Sequence, residues 1–228
     1  MKTLAIIPAR GGSKRIPRKN IKDFLGKPII AYSIETALKS ELFDEVMVST
    51  DDDEIAAVAL RYGAKVPFVR STKNADDFAT TIEVIQEVLK EYGRLEKKFD
   101  FACCIYPTAP LIKVKHLKRG FSKLKEDKLD VVFSVVQYSY PIWRSLKREN
   151  NKTRMNWSKF ANSRSQDLPQ AYHDAGQWYW ILSTKLGSSI FTKNMGSIVL
   201  SEMDVQDIDT MDDWCMAELK YEKIHGSK

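Results

Sequence analysis

The amino-acid sequence predicts an α/β protein built on a doubly wound, mostly parallel sheet. Short apolar runs alternate with segments whose apolar residues recur at helical spacing, the pattern of strands joined by crossover helices. Glycine, proline or polar clusters close most of these runs. The 228 residues are 43% hydrophobic and 29% charged, a composition typical of globular proteins with a sizeable core.

The first half of the chain supplies most of the predicted sheet. Residues Thr3–Pro8 are apolar and are followed by glycines, as expected of a buried central strand. Pro28 suits the first turn of a helix over residues 29–39. Gly63 is expected to end another helix. The remaining elements predicted in this half are strands over 44–50, 66–69 and 99–106, and helices over 51–62 and 80–92.

The second half interrupts this alternation and then resumes it. A basic amphipathic segment over 114–125 precedes a strand over 130–136, and further strands are predicted over 177–182 and 197–200. The last helix, over 211–223, has Thr210 as its N-cap and Asp213 as the partner in a capping box.

The stretch over 138–172 breaks the pattern. It mixes aromatic residues, asparagine and charges without a helical period, and its apolar content is too low for a core of its own. We therefore expect residues 1–137 and 173–228 to form one α/β domain, and 138–172 to be an inserted dimerisation arm that packs on another subunit.

Charge and cysteine content limit the partners and the setting. The formal net charge of +6 suits an anionic small molecule as well as nucleic acid. Cys103, Cys104 and Cys215 are odd in number and include an adjacent pair, so they form no disulfide framework and favour a reducing cytoplasm. The short apolar run before Pro8 is too brief for a signal peptide or a membrane span. We expect a cytoplasmic protein without a membrane partner.

A basic, glycine-containing loop follows the first predicted strand. Between residues 10 and 19 it carries two adjacent glycines, five basic residues and no acidic one. Glycines let backbone N–H groups turn toward an anion, and ligands of open α/β sheets lie at the carboxyl ends of strands. The loop matches neither the P-loop nor the dinucleotide fingerprint. A phosphate site is therefore predicted, with a solvated charged turn as the alternative.

Two carboxylates precede the last predicted helix. Asp207 and Asp209 are alternate residues, which share a face in an extended segment and can reach one Mg²⁺. Capping of the following helix is the alternative explanation. Combined with the basic loop, the pair favours transfer of a phosphoryl or nucleotidyl group, because that chemistry needs both cations and a carboxylate-held metal.

Six segments together carry a family resemblance. They are IIPARGGSKRIPRKNI, VSTDDDEIA, PFVR, CIYPTAPL, SRSQDL with YHDAGQWYW, and VQDIDT. The chain resembles the cytidylyltransferases that activate nonulosonic acids, the CMP-sialic acid synthetases and their relatives. The resemblance implies a nucleotide-binding domain of the nucleotide-diphospho-sugar transferase type. It also implies a reaction in which the anomeric hydroxyl of the sugar attacks the α-phosphorus of CTP and releases pyrophosphate. The implied partners are CTP, the sugar and a second copy of the chain, with Mg²⁺ as cofactor.

The resemblance also implies roles for individual residues. The catalytic residues are expected to be Arg10, Lys19 and Asp209, and the metal ligands Asp207 and Asp209. The residues expected to bind CTP are Arg10, Gly11, Gly12, Ser13, Lys14, Lys19, Asn20, Arg70 and Thr81. The residues expected to bind the sugar are Tyr106, Thr108, Arg164, Gln166, Gln177 and Tyr179.

One departure from the family pattern bears on the choice of sugar. Sialic acid synthetases carry a Gln-Pro-Thr-Ser-Pro-like motif, whereas this chain has Tyr106 in the place of the glutamine. A phenol gives a more apolar wall, which suits a 9-deoxy, diacylamido sugar, since a buried amide without a hydroxyl partner is costly. Tyr106 together with YHDAGQWYW most resembles the members of this family that act on pseudaminic acid, and the resemblance implies that sugar. N-acetylneuraminic and legionaminic acids remain alternative substrates. Alternatively, Tyr106 has no contact with the sugar and only packs under the sheet.

Two further alternatives stay open at this stage. His173 and Asp174 resemble a base and its orienting carboxylate, although adjacent side chains seldom point the same way. A nucleic-acid-binding module, with Tyr138, Tyr140 and Trp143 stacking on bases, is the alternative from another functional class. The clustering of the basic residues in one loop, without a nucleic-acid-binding signature, favours the enzyme.

Overall fold

The chain folds around one six-stranded sheet. The structure, a computed structural model, describes residues 1–226. The strands are β1 Thr3–Pro8, β2 Asp23–Phe24, β3 Lys27–Pro28, β4 Glu45–Ser49, β5 Phe101–Ile105, β6 Val131–Gln137, β7 Leu146–Glu149, β8 Lys152–Met155, β9 Tyr172–Leu182 and β10 Met195–Leu200. The helices are α1 Ile29–Ser40, α2 Asp53–Arg61, α3 Thr81–Arg94, α4 Val114–Glu126 and α5 Met211–His225. Among the described residues, no helix combines the length and apolar character needed to cross a membrane.

The strand order in this sheet is β10-β6-β9-β5-β1-β4. The pairs β1 with β4, β1 with β5, and β6 with β10 are parallel. Strand β9 runs antiparallel to both of its neighbours. The predicted α/β class with a mostly parallel sheet is confirmed.

Helices cover both faces of the sheet, as the doubly wound prediction requires. Along β1, Ala5 and Ile7 pack in the core shared with α1, α2 and α4, whereas Leu4 and Ile6 pack in the core shared with α3. Helix α4 lies very close to β9, since a Cβ on Gly120 would come within 2.6 Å of the Trp178 ring. This position needs glycine for packing.

The predicted strand over 66–69 is wrong. Only Lys65 pairs with the sheet edge, its N–H donating to the Val46 carbonyl at 2.8 Å and its carbonyl accepting from the Val48 N–H at 2.9 Å. Pro67 follows almost at once and has no N–H to continue a ladder. The apolar run read as a strand is therefore a loop.

The last helix starts as predicted. The Thr210 hydroxyl accepts from the Asp213 N–H at 3.3 Å, and the Asp213 carboxylate accepts from the Thr210 N–H at 2.8 Å. Trp214, one residue further, packs edge-on against Phe24 from the small β2–β3 hairpin. The capping box thus fixes the start of α5 beside the end of the basic loop.

Residues 138–171 leave the sheet after β6 and return at β9. They form the β7–β8 hairpin and a small aromatic group, in which the Trp143 ring lies 5.6 Å from Trp157 and 5.9 Å from Phe160. Most of the hairpin side chains are exposed. The dimerisation role expected for this arm stays a prediction.

Candidate active site

A cleft of about 350 Å³ opens at the carboxyl ends of β1 and β5. It brings together residues that are far apart in the sequence. The predicted site residues that line it are Arg10, Ser13, Lys14, Lys19, Asn20, Arg70, Thr81, Tyr106 and Thr108. Its position agrees with the rule that ligands of α/β sheets bind beyond the carboxyl ends of the strands. The individual roles of these residues stay predictions.

The basic loop is anchored on the start of α2. A Cβ on Gly11 would come within 2.7 Å of the Asp52 carboxylate, so only glycine fits there. The Arg18 guanidinium donates to Asp52 at 2.9 Å and holds the pKa of that carboxyl at about 2. The Gly11 N–H donates to Asp51 at 3.0 Å. This backbone donor is therefore engaged within the protein, and the loop cations that line the cleft are Arg10, Lys14, Arg15 and Lys19.

An acidic residue that the sequence analysis did not single out pairs with two of these cations. The Asp77 carboxylate lies 2.8 Å from the Arg10 guanidinium and also forms an ion pair with Lys14. Arg10 donates in addition to the main-chain oxygen of Asp76 at 2.5 Å. These contacts lower the pKa of Asp77, and the hydrogen bond from Lys14 has the largest effect. Phosphate oxygens entering the cleft would compete with this carboxylate.

Lys19 joins the loop to the predicted metal carboxylates. Its ammonium donates to the Ile208 carbonyl at 2.6 Å and lies 3.7 Å from Asp209, which also pairs with Arg15 at 2.7 Å. Burial lowers the pKa of Lys19, opposed by the charge of Asp209. Asp207 and Asp209 line a neighbouring cavity of about 430 Å³. Arg15 and Lys19, which line the cleft, thus contact Asp209, which lines the neighbouring cavity beside Asp207.

The carboxylate pair fits a hard divalent cation. Asp207 is exposed to solvent. Its pKa is nevertheless raised, first by the protein atoms packed around its carboxylate and second by the charge of Asp209. A bound cation would relieve that repulsion. Within residues 1–226 no group of three or more acidic, histidine or cysteine side chains forms a metal cage. Mg²⁺ commonly keeps several waters and uses one or two carboxylates plus substrate phosphates. The cofactor itself stays a prediction.

The predicted nucleoside contacts are held rigidly in the cleft wall. Asn20 is buried and its amide donates to the Arg10 carbonyl at 2.9 Å. Arg70 is also buried, and its Nε donates to the Ser49 hydroxyl at 3.0 Å. Burial lowers the pKa of Arg70 to about 10, so the guanidinium stays charged at neutral pH.

Tyr106 and Thr108 are the two predicted sugar residues that line the cleft. The Tyr106 hydroxyl lies 2.9 Å from the Thr81 hydroxyl, and burial raises its pKa. The phenol therefore has a partner inside the protein and remains neutral.

The other four predicted sugar residues do not line this cleft, although Tyr179 lines a pocket that adjoins it. Gln177 is buried on β9 and donates to the Asp204 carbonyl at 2.5 Å, and the Tyr179 hydroxyl donates to Asp174 at 2.7 Å. Arg164 lies exposed on the arm and pairs with Asp167 at 2.7 Å. Gln166 lines a separate cavity of about 280 Å³ within the arm. The structure does not bring the arm residues to the cleft, and their role as sugar ligands stays a prediction.

A second pocket, of about 280 Å³, adjoins the cleft and shares Thr81 and Tyr106 with it. Residues 188–191 form its far side, and Ile190 and Phe191 are the apolar residues among them. Asp174 lines both this pocket and the cavity that holds Asp207 and Asp209. The sequence analysis missed residues 188–191, because a loop without periodicity or a charged motif carries no signal of its own.

Comparison with known proteins identifies the family. A family model described as "Cytidylyltransferase" matches residues 4–206. The chain belongs to the cytidylyltransferase family. A similar relative is a pseudaminic acid cytidylyltransferase of Campylobacter jejuni, 46% identical over 230 residues, which cover all of this chain and 99% of the relative. A CMP-N,N'-diacetyllegionaminic acid synthase of Legionella pneumophila is 33% identical over 96% of this chain and 95% of its own.

Solved structures of similar fold include a CMP:2-keto-3-deoxy-manno-octonic acid synthetase complexed with CTP. It superposes with a TM-score of 0.71 at 18% identity and covers 100% of both chains. This likeness confirms the predicted nucleotidyltransferase fold. The match to the cytidylyltransferase model confirms the enzymatic interpretation, in preference to a nucleic-acid-binding module.

Proposed function

We propose that this cytidylyltransferase transfers CMP from CTP to the anomeric hydroxyl of pseudaminic acid and releases pyrophosphate. The observation that carries the reaction is the ion pair between Lys19, which lines the cleft with the other loop cations, and Asp209, which lines the neighbouring cavity together with Asp207. The full-length identity of 46% to the Campylobacter jejuni enzyme supports the choice of sugar.

The chain's own residues account for binding of the triphosphate and for stabilisation of the departing charge. Arg10 and Lys14 would exchange Asp77 for phosphate oxygens, and charge-assisted hydrogen bonds of this kind are the strong ones. As the sugar oxygen bonds to the α-phosphorus and the bond to pyrophosphate breaks, negative charge moves onto the leaving group. Arg10 and Lys19 both line the cleft and would stabilise that charge. They are the catalytic residues of the proposal.

Asp207 and Asp209 would hold the metal. When bound, Mg²⁺ would supply positive charge to the phosphates and would increase the acidity of the attacking hydroxyl. Lys19 donates to the carbonyl of Ile208, the residue between Asp207 and Asp209 in the sequence. The basic loop therefore contacts the backbone of the proposed metal site directly.

The sugar is proposed to bind where the cleft meets the pocket of Tyr106, Ile190 and Phe191. Because the Tyr106 hydroxyl is already bonded to Thr81, this wall loses no hydrogen bond when the sugar lacks a 9-hydroxyl. Apolar side chains at the far end suit the methyl of an acylamido group. These features support pseudaminic acid over a glycerol-tailed sialic acid.

We also propose that the protein is a homodimer in which the arm of one subunit reaches its partner's site. Tyr140 on the arm is 84% exposed, and Arg164 presents a guanidinium, the group that best matches a carboxylate. Sedimentation equilibrium tests the dimer. A monomer with full activity would contradict it.

The test of the function is pyrophosphate release by the purified protein with CTP and Mg²⁺. Pseudaminic, legionaminic and N-acetylneuraminic acids are supplied in parallel. We expect the highest kcat/KM with pseudaminic acid. Turnover of none of the three would overturn the proposed reaction, and preference for another acid would overturn the proposed sugar.

A further inference from the structure

The segment that carries Asp207 and Asp209 is held by side chains that reach it from other elements. It leaves β10 after Leu200 and runs irregularly to α5. The Gln177 amide donates to the Asp204 carbonyl at 2.5 Å. The Lys220 ammonium donates to the carbonyls of Val205 and Glu202 at 2.7 and 3.0 Å. Donors from β9 and α5 thus supply contacts that a neighbouring strand would otherwise give.

The carboxylate of Asp204 is the most buried charged group of this segment, with 7% of the residue exposed. The Lys113 ammonium, just before α4, lies 2.5 Å from its Oδ1. His116 Nε2 lies 3.7 Å from its Oδ2. Burial lowers the pKa of His116 to about 4, so the imidazole is neutral at neutral pH. Lys113 is therefore the countercharge that makes burial of Asp204 tolerable, because an unpaired buried charge is strongly destabilising.

Asp204 lies three residues before Asp207, at most about 10 Å along an extended chain. A rotation or shift of the backbone at Asp204 would therefore change the position of the short segment that carries the two carboxylates. Metal affinity depends on the orientation of the ligands, which neighbouring hydrogen bonds maintain. The proposed function makes no use of Lys113, and Gln177, predicted to bind the sugar, donates to the same residue.

We propose that Lys113 is a positioning residue for the reaction, which acts through Asp204 to orient Asp207 and Asp209 toward a divalent cation. This inference rests on the proposed function, since it presumes that the two carboxylates bind the metal. The alternative hypothesis is that the ion pair between Lys113 and Asp204 only stabilises the fold. Its loss would lower thermal stability and leave the metal affinity of the folded protein unchanged.

The experiment compares Lys113→Met with Lys113→Arg and with Lys115→Met. Lys115 is an exposed lysine in the first turn of α4, two residues after Lys113, so it controls for the loss of one positive charge. Mn²⁺ binding is measured directly by electron paramagnetic resonance, with CTP present and without the sugar. Initial rates of pyrophosphate release against Mg²⁺ concentration provide the second readout, and thermal unfolding confirms that each variant is folded.

For Lys113→Met we expect Mn²⁺ binding to weaken by roughly tenfold, the lower end of the range for groups that orient metal ligands. The Mg²⁺ concentration for half-maximal rate should rise by a similar factor. Lys115→Met should match the unaltered protein, and Lys113→Arg should recover most of the affinity. Unchanged Mn²⁺ affinity in folded Lys113→Met would overturn the inference.

Two further outcomes are decisive. Should Lys113→Met not fold, Asp204→Asn removes the same ion pair with little change in side-chain size, and the same loss of affinity is expected; unchanged affinity would refute the proposal. If the unaltered protein neither binds Mn²⁺ nor turns over any of the three sugars, the proposed function fails first. Normal turnover with an unaffected Lys113→Met variant would refute the positioning role alone.

Discussion

The triphosphate half and the sugar half of the candidate site are built in different ways. The loop that starts at Arg10 is contiguous in sequence, is pinned to α2 through Arg18 and Asp52, and points its cations into one cleft. The predicted sugar residues come from the loop after β5, from β9 and from the arm, and only Tyr106 and Thr108 reach that cleft. A triphosphate site can be carried by one loop on a rigid strand end, whereas recognition of the second substrate depends on how distant segments pack.

The largest effect that tests this contrast is expected from Lys19→Ala. Loss of the ammonium beside Asp209 should lower kcat about 10²- to 10³-fold, the cost of removing one group that stabilises developing charge. Lys22→Ala is the matched control, because the Lys22 ammonium lies over the Trp214 ring at 5.7 Å. Initial rates at saturating substrates measure both. A Lys19→Ala variant that keeps most of its rate would show that the loop only binds CTP.

The next effect concerns the metal. Asp207→Asn or Asp209→Asn should raise the Mg²⁺ concentration for half-maximal rate by at least about tenfold, since an amide is a weaker ligand than a carboxylate. Asp212→Asn, an exposed residue in the first turn of α5, should leave the curve in place. Identical Mg²⁺ titration curves for all three variants would remove the two carboxylates from the metal site.

A smaller effect is expected on the sugar side. Tyr106→Gln restores the amide of the sialic acid synthetases, so the preference for pseudaminic over N-acetylneuraminic acid should fall by roughly tenfold, as for one altered wall contact. The KM for CTP should stay the same if the two halves are separate. Parallel kcat/KM measurements on both sugars decide this. An unchanged preference would assign Tyr106 to packing alone.

The smallest effect is expected from Asp77→Asn. Because Asp77 competes for Arg10 and Lys14, its neutralisation should tighten CTP binding about 2- to 5-fold, the scale of exposed ion pairs. Asp53→Asn, exposed at the start of α2, controls for the change in net charge. Calorimetric titration with CTP provides the measurement. Weaker binding in Asp77→Asn would mean that this carboxylate serves the bound complex instead.

Much of the fold and the triphosphate half could be predicted because their signals are local. Apolar runs, the capping box of Thr210 and Asp213, and the basic loop are each legible within a few residues. The apolar run over 66–69 differs from its predicted strand because Pro67 has no N–H to continue the pairing that Lys65 begins. Asp77 and the pocket of Ile190 and Phe191 were missed for another reason. Only tertiary packing brings them to the cleft, and neither carries a motif.

The most direct test of the account is a crystal structure of the protein with CTP and Mg²⁺. We predict the triphosphate against Arg10, Lys14 and Lys19, the cytosine beside Asn20 and Arg70, and Asp77 displaced from its two cations. A triphosphate bound outside this cleft, or an Asp77 still paired with Arg10 and Lys14 in the complex, would contradict the account.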